Sequence, residues 1–459
     1  MRRILLIFIA ILLSGVLNAQ PAEALHKFLS DTLLQWATIG VDIRCADSGE
    51  PIVEHNSHTA LIPASLTKLI STAFALEVCG PQYRVQTEVY TMGNIEKGFL
   101  NGPLKIYSYG DPTLDSKYFP ERKFLRSIVS LLNSHGIKGV SDVEFIPMLP
   151  CDGRYNGTWL SEDIANYYGA NSMPFNWSDN SCRITLRSDS EKAYFLSETP
   201  TAMNFYYNNL IKVVPGAKSD IWIYGGATGY REIRGVMDAN LSSYSVNSSM
   251  GFPEEYFKSE FYRYISPVAE SVNKPNERGE VLLISYNSPS FAEIVSVANK
   301  RSVNLYVEAL ARIAANKIDG GECYNEKIVD WLSGIVSDGR GVVLKDACGL
   351  APMNRVPATV FTELLLWGKG RWNGTYEKSL AISGGTGTLK NFTKEYPYLN
   401  GNIVAKSGSM SGVRSLAGYI KARSGKRYVF TIMANGFVCS GSDVMKLFAS
   451  FLNDIYLSL

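Results

Sequence analysis

The two ends of this chain read as parts of one sheet cut in two. Val41, Ile43 and Cys45 alternate with polar neighbours, Asp47-Ser48-Gly49 supplies a turn, and Ile52-Val53 returns, the pattern of a hairpin. Near the other end Ile403 to Lys406, Ser415 to Ile420 and Tyr428 to Ala434 read as three more strands, with Ser424-Gly425-Lys426 turning between the last two. Helical spacing flanks both groups. Leu25, Phe28, Leu29, Leu33 and Trp36 make a stripe over residues 21–36, and a second helix runs from about Ala64 towards Val78, stopped by Gly80-Pro81. Val444, Leu447, Phe448, Phe451, Leu452 and Ile455 mark a C-terminal helix with one apolar face. Between these ends, residues 86–285 carry their own pattern: Phe124, Leu125, Ile128, Val129 and Leu132 are spaced as a helix, and Val143 and Phe145 alternate. A chain of 459 residues exceeds one ordinary core. The expectation is an α+β protein with an antiparallel sheet flanked by helices, split into 20–85 and 286–459 around one or more inserted domains.

Charge narrows the partners. Net charge is +2 and no dense Lys/Arg run occurs, so nucleic acid is not expected as a ligand. Arg2-Arg3, the ten apolar residues Ile4 to Leu13 and the small residue Ala19 compose an export signal over 1–19, with the mature chain starting near residue 20. Ten residues are too few to cross a hydrocarbon layer of about 30 Å as a helix. The polar face of the C-terminal helix lacks the Lys/Arg enrichment of a membrane-surface helix, so its stripe is read as core. Seven cysteines, Cys45, Cys79, Cys151, Cys182, Cys323, Cys348 and Cys439, show no C-x-x-C pair and are read mostly as small buried hydrophobes.

Four histidines, His26, His55, His58 and His135, all lie in the first third. His55 and His58 have no third ligand nearby, so a zinc site is not expected, and nucleophilic catalysis must draw on another base. Lysine can serve. Ser65-Leu66-Thr67-Lys68 opens the second helix, and a three-residue step puts the hydroxyl and the amine on one face. A desolvated lysine, or one near a second cation, can be neutral and take the serine proton. The plainer reading is a capping serine beside a solvated lysine.

Two further elements add to this one. S-V-N occurs at Ser245-Asn247, Ser271-Asn273 and Ser302-Asn304. The first two sit in Ser/Asn/Pro/Gly-rich surroundings and are read as loop. The third joins two helical stretches, where Ser302 can relay a proton and Asn304 can hold a peptide group. Lys406-Ser407-Gly408-Ser409 then lies on the first C-terminal strand. Its lysine and hydroxyl offer a carboxylate site and a field that favours a neutral Lys68. Gly408 permits close backbone approach, and the Ser409 and Ser65 N–H groups would form an oxyanion hole. Gly384-Gly385-Thr386-Gly387-Thr388 lacks the ending of a phosphate loop and is read as a turn.

S-x-x-K, S-x-N and K-[ST]-G in that order are the motif set of class A β-lactamases and penicillin-binding proteins. The long interval between Lys68 and Ser302 favours a multidomain wall enzyme over a compact β-lactamase. With Tyr109-Gly110-Asp111-Pro112-Thr113-Leu114, Ser302-Val303-Asn304-Leu305-Tyr306, Gly385-Thr386-Gly387-Thr388-Leu389 and Ser415-Leu416-Ala417-Gly418-Tyr419, the chain resembles the class C low-molecular-mass penicillin-binding proteins, the D-alanyl-D-alanine carboxypeptidase/endopeptidase family. The likeness runs over about 60–115 and 290–435.

That resemblance implies a penicillin-binding/β-lactamase-like catalytic domain with two nested insertions and no metal or other cofactor. Ser65 would be the acylated nucleophile, Lys68 the general base, Ser302 and Asn304 the second motif, and Lys406, Ser407, Gly408 and Ser409 the third. The implied activity is D-Ala-D-Ala carboxypeptidase, and potentially endopeptidase, on peptidoglycan stem peptides in the periplasm, with β-lactams as acylating inhibitors. Peripheral association with the membrane or wall stays open. Asp346-Ala347-Cys348-Gly349-Leu350-Ala351-Pro352 departs from the family's usual D-G-S-G-L-S-R and lacks its arginine. Two rival readings are a β-lactamase or esterase-like hydrolase using the same motifs, and a non-catalytic peptidoglycan-binding protein.

Overall fold

Strand pairing joins the two ends of the chain. The computed structural model describes residues 20–150, 153, 155–202, 205–227, 229–267, 279–320 and 323–459. The export signal at 1–19, Cys151 and the tripeptide Ser271-Asn273 lie outside the described residues. By its contacts the chain divides into two units. One holds the residues up to Pro81 with Ala292–Val303 and Asn325–Leu459; the other holds Gln82–Phe291 with Asn304–Tyr324.

The first unit begins with a helix over 20–29 (α1), then strands β1 (Thr38–Cys45) and β2 (Pro51–His55) and helix α2 (Thr67–Cys79). After the insertion come α3 (Phe291–Arg301) and α4 (Ala358–Gly368). Strands β3 (Ala381–Ile382), β4 (Ile403–Met410), β5 (Val413–Lys421) and β6 (Arg427–Asn435) lead to the closing helix α5 (Gly441–Ser458). The sheet order is β3-β4-β5-β6-β1-β2, and every pairing is antiparallel. β1 therefore sits inside the sheet, running from Thr38 opposite Asn435 to Cys45 opposite Tyr428.

Both faces of β1 are covered. Ile39, Val41 and Ile43 join Phe430, Ile432 and Leu416 in a core completed by Phe28 of α1 and by Val444, Phe448, Phe451, Leu452 and Ile455 of α5. The C-terminal stripe is thus core, as its polar face implied. On the other face Asp42 is fully buried, bonded to the Thr362 hydroxyl of α4 and paired with Arg44 at 2.9 Å. Gly80 ends α2 at φ 84° and ψ 154°, a conformation open to glycine, at the stop its sequence predicts.

Two hydrophobic clusters lie among the described residues of the second unit. Val281–Asn287, Gln86–Thr91, Leu104–Ser108 and Val143–Pro147 form a sheet in that order, packed through Phe124, Ile128, Leu132, Phe257 and Phe261 against helices Phe124–Ser134 and Pro253–Phe261. Two three-stranded sheets enclose the smaller core of Ile184, Leu186, Ile221, Ile223 and Ile233. No helix among the described residues is long and apolar enough to cross a membrane.

Four expectations change. The first helix stops at 29, because the Asp31 side chain accepts the Leu33 N–H and starts a separate 3-10 turn, Thr32–Leu34. Trp36, assigned to its stripe, is 70% exposed. Ser245-Asn247 is not loop but part of the strand Tyr244–Ser249. Of the six described cysteines, none is in a disulfide; Cys182 and Cys348 are buried, Cys45, Cys79 and Cys439 half-buried and Cys323 exposed, so the reading of these residues as mostly buried does not hold.

Phe28 stacks on Phe451 with ring centroids 4.7 Å apart, so one contact ties the two terminal helices together. Phe451→Ala is expected to cost about 3–5 kcal/mol, read as a lowered denaturation midpoint for the first unit.

Candidate active site

The turn before α2 has a constrained backbone. Ala64 stands at φ 47°, in the left-handed region, and Ala64–Leu66 forms a 3-10 turn running straight into α2. Thr67 Oγ1 donates to the Ala64 carbonyl at 2.9 Å, and Ser415 Oγ of β5 donates to the Pro63 carbonyl at 2.7 Å. Ser65 sits half-buried on this braced turn. One turn on, Lys68 is fully buried, and its Nζ lies 2.9 Å from Ser65 Oγ and 2.5 Å from the Cys348 carbonyl oxygen.

The Cys348 carbonyl is held in place by Asp346. That buried carboxylate accepts the N–H groups of Gly349, Leu350 and Ala351 at 2.7–2.8 Å and the Asn354 amide at 2.7 Å. Gly349 is required twice over: its φ is 83°, and a Cβ there would lie 1.9 Å from the Ala64 carbonyl oxygen. Ser71 Oγ donates to the Ala347 carbonyl at 2.7 Å. Positions 347 and 348 thus meet α2 through backbone oxygens, so departure from the family pattern at these two side chains leaves the contacts intact.

The second element lies at the end of α3. Ser302 adopts φ 58°, and the Val303 N–H returns to the Ala298 carbonyl at 3.1 Å, which reverses the chain tightly. Asn299, fully buried, donates to Thr72 Oγ1 of α2 and to Ser379 Oγ, fixing the height of α3 beside α2. Ser302 Oγ then accepts from Lys406 Nζ at 3.0 Å. Asn304 opens the helix Asn304–Asp319 of the second unit, where its amide donates to the Tyr168 carbonyl at 2.8 Å. The boundary between the units therefore falls inside the tripeptide.

The third element is β4. Lys406 is fully buried and also donates to its neighbour's carbonyl, that of Ser407, at 2.5 Å. Burial first, and the charge of Lys68 second, push its ammonium well below the usual 10.5. Ser407 Oγ donates to Thr388 Oγ1 at 2.8 Å, in the turn Gly387–Leu389 that the glycine-rich stretch forms. A Cβ on Gly408 would stand 2.2 Å from Ser415 Oγ, 2.8 Å from the Pro63 carbonyl and 3.0 Å from the Ser65 nitrogen. Only a glycine lets this strand lie against the Ser65 turn. Ser409 is exposed beyond it. β3 pairs only with Val404 and Ala405, so from Lys406 onward the outer edge of β4 has no strand neighbour among the described residues.

The first unit thus brings together Ser65, Lys68, Ser302, Lys406, Ser407 and Gly408 from three separate stretches of chain. Sequence reasoning gave no role to the Cys348 carbonyl, Asp346, Asn299, Ser415 or Thr388. Ser415 and Thr388 lie in stretches that carry the family resemblance, whereas Asn299 has no local signal. Chemically, the arrangement can move a proton from a hydroxyl to an amine, with a second buried amine bonded to the Ser302 hydroxyl.

A family model described as D-Ala-D-Ala carboxypeptidase 3 (S13) matches residues 21–451. The chain belongs to that family of serine-type carboxypeptidases. It is 24% identical, over 92% of its length and 82% of the relative's, to the D-alanyl-D-alanine carboxypeptidase of Actinomadura sp. (strain R39). It is 20% identical to the D-alanyl-D-alanine carboxypeptidase DacB of Haemophilus influenzae, covering 89% of this chain and 88% of the relative. Among solved structures, penicillin binding protein 4 (dacB) from Haemophilus influenzae superposes with a TM-score of 0.77 at 18% identity, over 94% of this chain and 99% of that one. The α+β, penicillin-binding type of fold is accordingly that of this chain.

Two outcomes follow from this geometry. A depressed Lys406 pKa means that the folded chain binds this proton less readily than the unfolded chain. Stability should therefore rise with pH between the depressed value and the usual 10.5, and fall as pH drops through that window. Urea titrations across it should show a flatter slope for Lys406→Met than for wild type; equal slopes would contradict the assignment. Gly349→Ala should cost at least about 1–3 kcal/mol through backbone strain alone, and it should also disturb the Ser65 turn, seen as slowed acylation by a reporter β-lactam.

Proposed function

We propose that Ser65 is the nucleophile through which this carboxypeptidase cleaves the terminal D-Ala-D-Ala bond of peptidoglycan stem peptides. The observation that carries the reading is the Lys68 amine at hydrogen-bond distance from Ser65 Oγ, with a second buried amine, Lys406, holding Ser302 in the same unit. In this reading neutral Lys68 takes the Ser65 proton as Oγ adds to the penultimate D-Ala carbonyl carbon. The oxyanion that forms is met by the N–H groups of Ser65 and Ser409. Collapse expels the terminal D-Ala as its amine, which takes a proton relayed from Lys68 through the Ser302 hydroxyl. Water then adds to the ester, its proton passing to Lys68, and Ser65 is restored.

Lys406 and Ser407 supply the site for the terminal carboxylate, and Gly408 lets the peptide backbone approach. Asn304 holds a peptide group of the substrate. An endopeptidase reaction uses the same steps with a cross-bridge amine as leaving group. β-Lactams, whose strained amide presents a carbonyl and a carboxylate in the same relation, acylate the same hydroxyl. The solved relative from Haemophilus influenzae in complex with a β-lactam, which superposes with a TM-score of 0.73 at 19% identity over 94% of this chain and 99% of that one, accords with this. The reading places the protein outside the cytoplasm, after removal of residues 1–19. It treats 20–85 and 286–459 as the catalytic domain around inserted domains at 86–285.

Intact mass after penicillin exposure tests the nucleophile. Wild type should gain one penicillin, Ser65→Ala none, and Lys68→Met should acylate about 10²–10⁴-fold more slowly. An adduct that survives Ser65→Ala would overturn the assignment. Penicillin released as fast as it binds would identify a β-lactamase instead.

A further inference from the structure

A polar cleft of about 530 Å³ lies entirely within the second unit, and the reaction does not use it. Strand register builds its floor. Arg183, on the middle strand Ser181–Ser188, stands opposite Thr199 on one neighbour and Asn247 on the other, so the three side chains make one row across the sheet. Thr185 continues the same face. Asn247 comes from the first of the three S-V-N tripeptides, which thus acquires a place of its own. The wall is the segment carrying Asp115, Ser116, Lys117, Pro120 and Lys123.

The charges in the cleft are not balanced among themselves. Its carboxylates are already engaged: Asp115 accepts from the Trp177 indole at 2.7 Å and from the Leu125 N–H at 3.0 Å, and Asp179 accepts from Ser116 Oγ at 2.5 Å. Lys117 lies 3.8 Å from Asp179. Among the described residues, the side chains of Lys123 and Arg183 make no hydrogen bond or ion pair. These two cations line a concavity together with Lys117, the carboxylates of Asp115 and Asp179, and hydroxyl and amide side chains, with only Pro120 and Pro200 apolar. Three cations, Lys117, Lys123 and Arg183, face two carboxylates, Asp115 and Asp179, so an anionic ligand gains from the excess positive charge as an apolar or neutral one does not. An oxyanion matches Arg183 in a forked geometry, and a hydroxylated body matches the Ser, Thr and Asn lining.

We propose that this cleft binds an acidic, hydroxyl-rich ligand, a carboxylated saccharide or a polyol phosphate, held by Arg183 and Lys123 over the Thr199–Arg183–Asn247 row. Bound there, a wall polymer would be held by the second unit independently of the residues around Ser65. The assignment rests on the cleft's own charges and not on the reading of Ser65.

Calorimetric titration of the mature chain, previously acylated with penicillin so that the reactive serine is occupied, tests it. The probes are N-acetylmuramic acid, glycerol 3-phosphate and N-acetylglucosamine. One or both acids should saturate, and the one that does identifies the source of the oxyanion; the neutral sugar should bind at least about tenfold more weakly. Arg183→Ala and Lys123→Ala, both at exposed positions, should each weaken the acid about tenfold, the loss of one charge-assisted contact. Penicillin acylation rates of both variants should match wild type. Failure of both acids to saturate the wild-type chain, equal binding of the neutral sugar, or wild-type affinity in both variants would each overturn the proposal. A failed acylation with intact saccharide binding would instead count against Ser65 alone.

Discussion

The Lys68 amine is the interaction on which the first unit depends. It is buried, it lies within hydrogen-bond distance of Ser65 Oγ and of the Cys348 carbonyl, and so it joins the start of α2 to a loop nearly three hundred residues later in sequence. A buried amine needs an acceptor to offset its desolvation, and a backbone carbonyl supplies one without adding a negative charge. A carboxylate in that position would favour the ammonium form, against the role proposed for Lys68. The Asp346 carboxylate is used one step further out, where it organises the loop through backbone N–H groups.

Backbone strain is present at the same place. Ala64 and Ser302 are both non-glycine residues in the left-handed region, and each sits at or beside a motif serine. Such conformations cost on the order of 1–3 kcal/mol each and persist only where the surroundings fix them. Here the fixing is visible: Ser415 and Thr67 brace the first, and Asn299 positions the helix that ends in the second. The glycines at 349 and 408 complete the arrangement by giving up volume where two segments of backbone meet.

Much of this was legible in the sequence because it depends on side-chain pattern. Alternation at both ends of the chain placed β1 and β2 beside β4, β5 and β6, and the apolar stripe of α5 was read correctly as core. The three motif segments were found because each pairs side chains that must converge. What escaped notice depends on backbone groups or on local competition. The Cys348 carbonyl has no residue signature, so the 346–352 segment looked only like a departure. Asp31 diverted the end of the first helix by capping the next turn. The strand Tyr244–Ser249 looked like loop because its serines resemble turn composition, yet Ser248 and Ser249 face the buried Arg231 guanidinium, which bonds to both. Polar residues in a strand are expected where the sheet covers a buried cation rather than a hydrocarbon core.

The place of β1 has a consequence for how the molecule is made. Its neighbour β6 and the helix α5 that covers its face come from the last residues of the chain. A ribosome emitting residues in order would release β1 long before either partner exists, leaving an apolar strand with one unsatisfied edge through most of synthesis. The intervening segment has cores of its own and can condense earlier. Truncation from the C-terminus should therefore be far more damaging to the first unit than its small length suggests, because what it removes is the closure of the sheet.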